Sequence, residues 1–316
     1  MTDPATPSSA SSSDTRAGGL PAGMAEALGA YGIWGFLPLY FKLLDGVSPW
    51  EIVGQRVIWS VGLVLILLYF RKRLGELKRV LSTPRLIGPL VATSILIAAN
   101  WLIYVWSVYN GHVLAASLGY FLNPLLNILL GAFLLKEKLR PLQWVSAGLA
   151  AIGVAILAFG ALDTLWISLT LAGSFGIYGI VRKTIDTGPL VGLAAETIIM
   201  LPVALLFLVW WASEPGRAAF ADGNLMTDAL LIGCGVITAV PLLLFASAAR
   251  KLPYSTLGLV QYVAPTLVFI MGIFVFKEPL LKSQLICFLF IWAGIILYIW
   301  DSMRARKEAA AVTPVT

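Results

Sequence analysis

Two charged side chains lie inside stretches that are otherwise almost wholly apolar: Arg56 in IVGQRVIWSVGLVLILLYF and Glu196 in PLVGLAAETIIMLPVALLFLVWW. An ion near the middle of a bilayer costs at least about 2.5–3.5 kcal/mol on insertion scales, so such residues are functional candidates by default. A guanidinium there can anchor an anion or a dipole. A carboxyl group, in a medium that disfavours its charged form, can exchange a proton, which makes Glu196 a proton-coupling candidate. The competing reading is structural, with each group paired to the other or to backbone and amide groups. Seven residues separate Pro49 from Arg56 and Pro189 from Glu196. If both prolines start helices that enter from opposite faces, the two charges differ in depth by about 10 Å, and direct pairing is not the default.

A second set is built of amides and aromatic rings: Asn100, Trp101, Tyr104, Trp106, Tyr109 and Asn110, then Tyr120, Asn123 and Asn127. Asn123 and Asn127 share a helix face, as do Asn100 and Tyr104. Buried amides need partners, so these faces should turn into a bundle or a wet cavity rather than toward lipid. Asn100, Tyr104, Tyr120 and Asn123 are read as cavity residues. Trp106, Tyr109 and His112 lie near a helix end and are read as interfacial anchors. Other chemistry has little to work with. There is one histidine, His112, and Cys234 and Cys287 both fall in apolar runs. No His-rich metal site, catalytic triad or GxxxxGK[ST] phosphate loop is available, and no metal or cofactor is expected.

The elements that must hold these residues are membrane helices. The chain has 316 residues, of which 59% are hydrophobic and only 12% charged. A soluble domain is usually about 25% charged, so the bilayer is the expected solvent. A span needs roughly 20 apolar residues. Ten segments qualify: 24–41, 50–70, 86–108, 113–135, 142–161, 164–181, 189–211, 228–249, 255–276 and 282–301. Brief connections predict that sequence neighbours pack antiparallel. Residues 1–23 are rich in Ser, Ala and Pro and read as a disordered tail, and 302–316 read as a polar C-terminal tail. The net charge of +6 does not point to nucleic acid, because the charges sit in short loops between apolar runs. Seventeen Lys and Arg fall on the face that carries the N-terminus and four on the other. The positive-inside rule then places both termini in the cytoplasm.

A repeat organises the spans. At a constant offset of 141, Pro124 meets Pro265, Gly131 meets Gly272, Lys136-Glu137 meets Lys277-Glu278, and Gln143 meets Gln284. Gly32 and Gly35 meet Gly173 and Gly176 without a gap. Chance apolar similarity would align Leu, Val and Ile, not these residue types. Residues 24–161 and 164–301 are therefore two five-helix repeats. Five is odd, so the second enters from the opposite face, and an inverted repeat of this kind puts a binding site at the interface of the halves near mid-membrane. Each proline removes a backbone donor and frees the carbonyl four residues earlier, at Tyr120 or Gln261. This predicts paired bends at Pro124 and Pro265 flanking the path and adds Gln261 to the site. Asn100 and Asn123 have no counterpart, since Pro241 and Ala264 stand at the matching positions. The Lys-Glu pairs read as helix terminators, and the glycines as surfaces of close approach.

The stretches GIWGFLPLYFK (32–42), QRVIWS (55–60) and NWLIYVWSVYNGHVLAASLGYFLNPLLNILLGAFLLKEKL (100–139) resemble the RarD-type proteins of the EamA-containing drug/metabolite transporter superfamily. The resemblance runs over residues 24–301. It implies an all-α integral membrane protein of ten transmembrane helices and a bacterial inner-membrane permease. Together these readings predict a secondary active transporter of a small organic metabolite or drug-like solute. Arg56, Asn100, Tyr104, Tyr120, Asn123 and Gln261 would touch the substrate. Lipid is the expected surrounding, with no nucleic-acid partner and oligomeric association open. The alternative is an integral-membrane enzyme or carrier acting on lipid-linked substrates, which would need clustered acids, bases or metal ligands at one face.

Overall fold

The computed structural model describes residues 21–312 apart from 111, 160–161 and 278–281, with the backbone alone at 108, 109, 113, 114 and 306–312. Every regular element among them is helical. The spans are α1 (Met24–Lys42), α2 (Pro49–Phe70), α4 (Pro84–Tyr109), α5 (Val113–Phe133) and α6 (Pro141–Ala158), with a short helix α3 (Leu74–Leu81) between the second and third. The second half follows with α7 (Leu165–Thr184), α8 (Pro189–Ala212), α9 (Leu225–Lys251), a ninth span in two pieces, α10 (Tyr254–Gln261) and α11 (Val263–Phe274), and α12 (Lys282–Val312). Nine of these spans are long and apolar enough to cross a membrane. The tenth, α1, has 19 residues and carries Glu26 and Lys42 near its ends. Prolines at the first turns of α2, α6 and α8 occupy positions where the missing N–H has no helical partner to lose.

The heaviest packing joins one half to the other. α1 lies on α9 and α11, and its repeat mate α7 lies on α4 and α5. The mates α2 and α8, α5 and α10, and α6 and α12 pair directly. Sequence neighbours such as α4 and α5, or α5 and α6, touch much less, contrary to the expectation drawn from short loops. A short loop fixes only where two ends meet. The interface goes to the faces whose small residues let backbones approach, because in lipid close packing rather than water exclusion drives helix association.

The repeat register is visible in those contacts. A Cβ at Gly153 would stand 2.7 Å from the Cys287 carbonyl, and one at its mate Gly294 would stand 2.8 Å from the Ser146 carbonyl. Cys287 and Ser146 are themselves 141 apart. Likewise Gly35 faces Leu267 and Gly176 faces Leu126. Arg140 fastens the α6–α12 seam at one end, its Nε donating to Asp301 at 2.7 Å. Gly153→Val and Gly294→Val should each cost about 1–3 kcal/mol through overpacking against backbone, which cannot rotate away. Thermal unfolding in detergent reads this. Equal midpoints for wild type and both variants would show that the seam tolerates a side chain.

Two local features differ from the sequence reading, and the two proline-bearing spans are unlike each other. Residues 74–81 form α3 rather than loop, because Leu77 and Val80, three apart, are both buried amid Glu76, Lys78 and Arg79. The ninth span tightens at Tyr262, which keeps helical dihedrals while its N–H turns back to the Leu259 carbonyl at 3.3 Å, three residues before Pro265. The fourth span runs unbroken through Pro124. The 302–316 tail is a correction as well: α12 continues to Val312, since Arg304 to Ala311 are residues of high helix propensity. Most of the 1–23 tail lies outside the described residues, as does Glu278.

Candidate functional site

All six residues expected at a substrate site line one cavity of ≈ 450 Å³: Arg56 from α2, Asn100 and Tyr104 from α4, Tyr120 and Asn123 from α5, and Gln261 from α10. Pro265 is also at its wall, whereas Pro124 is not. The cavity lies between the two halves. Its walls come from the later part of α1 (Tyr31 to Phe41), the early parts of α2, α5 and α7, and the ninth span beyond Gln261. Because successive spans run in opposite directions, these positions fall from mid-depth to the face opposite the N-terminus.

Arg56 is held from two sides. Its Nε donates to Thr238 Oγ1 of α9 at 2.8 Å, and its guanidinium lies 4.4 Å from the centre of the Trp101 ring. Neither partner carries a charge. The Tyr104 and Tyr120 rings meet edge to face at 5.7 Å, and Tyr120 keeps 52% of its surface open. Asn100 is tied to α7, its Nδ2 donating to the Leu171 carbonyl and to Ser174 Oγ. It therefore both joins helices and lines the cavity. Asn123 is 6% exposed and its Oδ1 has no partner among the described residues. The Tyr31 hydroxyl at the same wall is also unpartnered there. Trp106 packs against His112 and Trp166, away from the cavity, where an interfacial anchor belongs. The Tyr109 side chain lies outside the described residues.

The other half of the bundle is closed. Asn127 donates to Gln261 Oε1 at 2.7 Å beneath the cavity floor. Just below, α10 presses on α5 so closely that a Cβ at Gly258 would stand 2.7 Å from the Pro124 carbonyl. Glu137 then caps the start of α10. Its carboxylate accepts from Tyr254 N at 2.6 Å, Ser255 N at 2.9 Å and Ser255 Oγ at 2.7 Å. This assigns more to the first Lys-Glu pair than helix termination. Lys136 takes a left-handed conformation (φ 55°) that ends α5 and turns Glu137 toward α10, and Lys277 repeats that conformation (φ 56°). The carboxylate serves the free N–H groups of a helix start, where an anion is favoured.

Glu196 does not reach Arg56. It pairs with Arg182, Nε to Oε1 at 3.6 Å, both side chains 1% exposed. The Tyr178 hydroxyl donates to Glu196 Oε2 at 3.4 Å, and Arg182 Nη2 donates to the Pro189 carbonyl at 3.1 Å. The expected segment 164–181 leaves Arg182 in a loop, but α7 extends to Thr184 and buries it. The signal for it was Gly192, one turn before Glu196 on the same face: a Cβ there would collide with the guanidinium.

The EamA-like transporter family matches residues 22–159 and again 164–300. The chain belongs to the EamA-like transporter family. Over 290 residues it is 45% identical to an uncharacterized transporter of Pseudomonas aeruginosa, covering 90% of this chain and 96% of that one. It is 40% identical to Protein RarD of Streptomyces exfoliatus, covering 92% and 94%. It is also 30% identical to the chloramphenicol-sensitive protein RarD of P. aeruginosa, covering 91% and 97%. A crystal structure 16% identical in sequence superposes with a TM-score of 0.70 over 90% of this chain and 98% of the other, a likeness of fold. The EamA-like chain is thus a multi-pass membrane protein of the RarD type, with its cavity where the two family-matched segments meet.

Proposed function

We propose that this EamA-like protein is a secondary active transporter that moves a small organic solute across the bacterial inner membrane by alternating access, with both termini cytoplasmic. The observation that carries the reading is a one-sided cavity between two repeats, closed at the other face by contacts the repeat could exchange. The offset of 141 supports it residue by residue. Leu37, Phe41 and Arg56 line the cavity, and their mates are Tyr178, Arg182 and Thr197. Those mates are all buried on the closed side. If the halves trade conformations, the closed side opens around Tyr178, Arg182 and Thr197 while the present cavity collapses. Glu196, next to Thr197 and paired with Arg182, is then the carboxylate that meets water in one state only, and we assign it the coupling proton.

The test is flux into proteoliposomes from a broad panel of metabolites and drug-like solutes, with and without a pH gradient. Uptake or efflux above protein-free liposomes, enhanced by the gradient, is expected. Glu196→Gln should retain exchange while losing the gradient's effect. A panel with no mover would overturn the transport reading. Gradient-driven flux in Glu196→Gln would remove only the coupling assignment.

A further inference from the structure

We infer that the cargo is a singly charged carboxylate with a flat apolar body and one hydrogen-bond donor, held with its carboxylate on Arg56. The inference rests on the transport reading of the same cavity. Among the described lining residues Arg56 is the only charged one; no Asp, Glu, Lys or His shares the wall. No carboxylate neutralises it, since its contacts are a threonine hydroxyl and an indole face. With Nε bound to Thr238, its Nη groups make no hydrogen bond to the described residues. A cation held in a low-dielectric bundle without a counter-charge is costly, and an anionic solute would supply that charge. Guanidinium groups match carboxylate geometry with two parallel donors.

The count of cations sets the charge of the ligand. A phosphate monoester carries nearly two negative charges at neutral pH, and one would stay uncompensated. A monocarboxylate is neutralised by Arg56 alone. The rest of the cavity specifies the body. Trp34, Trp101, Tyr104, Tyr120, Phe175 and Phe288 supply planar apolar wall, suited to a ring or conjugated chain. The volume of ≈ 450 Å³ lies at the small end of ligand sites, which run from about 300 to 1,000 Å³. Two buried polar atoms at the wall remain unpartnered, Asn123 Oδ1 and the Tyr31 hydroxyl. An amide oxygen can only accept, so the ligand must present an N–H or O–H to Asn123.

The experiment is isothermal titration of the purified full-length protein in lipid nanodiscs with four probes of differing charge, 4-hydroxyphenylacetate, its methyl ester, tyramine and phenyl phosphate, and with phenylacetate as the acid that lacks the hydroxyl. The carboxylate should bind at least about tenfold more tightly than the other three. Arg56→Gln should weaken it by about 10- to 100-fold, the range for hydrogen bonds to a charged group, while leaving the ester unchanged. Arg56→Lys should fall between, having the charge without the fork. Asn123→Leu, which keeps Arg56, should erase the preference for 4-hydroxyphenylacetate over phenylacetate, so the inference stays testable if Arg56 variants misfold. Equal binding of the ester or tyramine, or no binding by any probe, overturns the cargo class. A neutral or cationic solute moving in the flux panel would do so too, yet leave transport standing. Only a panel with no mover removes both.

Discussion

Arg182→Gln is expected to destabilise the protein by about 3–5 kcal/mol, the cost of leaving one member of a buried ion pair without the other. Glu196 would keep only neutral partners, the Tyr178 hydroxyl at 3.4 Å and the Thr93 hydroxyl. The remaining carboxylate is 1% exposed in this state. The double variant Arg182→Gln/Glu196→Gln should be more stable than Arg182→Gln alone, because two neutral amides of similar size can bond each other where a lone carboxylate cannot. Thermal unfolding of the four proteins in detergent gives the cycle. The pair would lose its structural role if Arg182→Gln unfolded at the wild-type temperature. A double variant less stable than wild type would show that the charges do more for each other than they cost. The 3.6 Å separation argues against that outcome, being too long for a hydrogen bond.

Glu137→Ala is expected to open the N-terminal face. The carboxylate accepts three hydrogen bonds at 2.6–2.9 Å from the first residues of α10. Hydrogen bonds to a charged group contribute about 1.5–3 kcal/mol each in favourable settings. Water replaces much of that once the seam parts. A residual loss of about 1.5–3 kcal/mol shifts a closed-to-open ratio about 10- to 100-fold. A reporter is available in Leu257, which is in α10 and fully buried. In a background lacking Cys234 and Cys287, a Leu257→Cys reporter should react with a membrane-impermeant thiol reagent slowly, and about 10- to 100-fold faster after Glu137→Ala. Glu137→Gln, which can still accept but carries no charge, should give an intermediate rate. Unchanged labelling in both variants would mean that Gly258 against Pro124 and the Asn127–Gln261 bond close this face unaided.

The first Lys-Glu pair and the buried Arg182 show where sequence reasoning stops. Glu137 looks like a charge that ends a span, because an end-of-span charge is all that hydropathy registers. Its partners are 117 and 118 residues away. Arg182 fails for a related reason. A basic residue at the end of an apolar run reads as loop, and only the reach of its side chain to Gly192 and Glu196 of α8 shows that it is sealed. The proline pair is instructive in the opposite sense. Both freed carbonyls were legible, yet α5 is regular helix through Pro124 while the ninth span tightens at Tyr262.

The sequence alone determined the solvent, the ten spans and the duplication, since each follows from local composition or from register along the chain. It also selected the six cavity residues. A polar or charged side chain in a span must turn away from lipid, and the interface between repeats is where such side chains converge. Only the tertiary structure decided which charges meet: Arg56 with a hydroxyl and an indole, Glu196 with Arg182, Glu137 with the start of α10. Ion pairs and caps act over a few ångströms between helices far apart in sequence. Their partners are set by how the two halves pack, which no local pattern encodes.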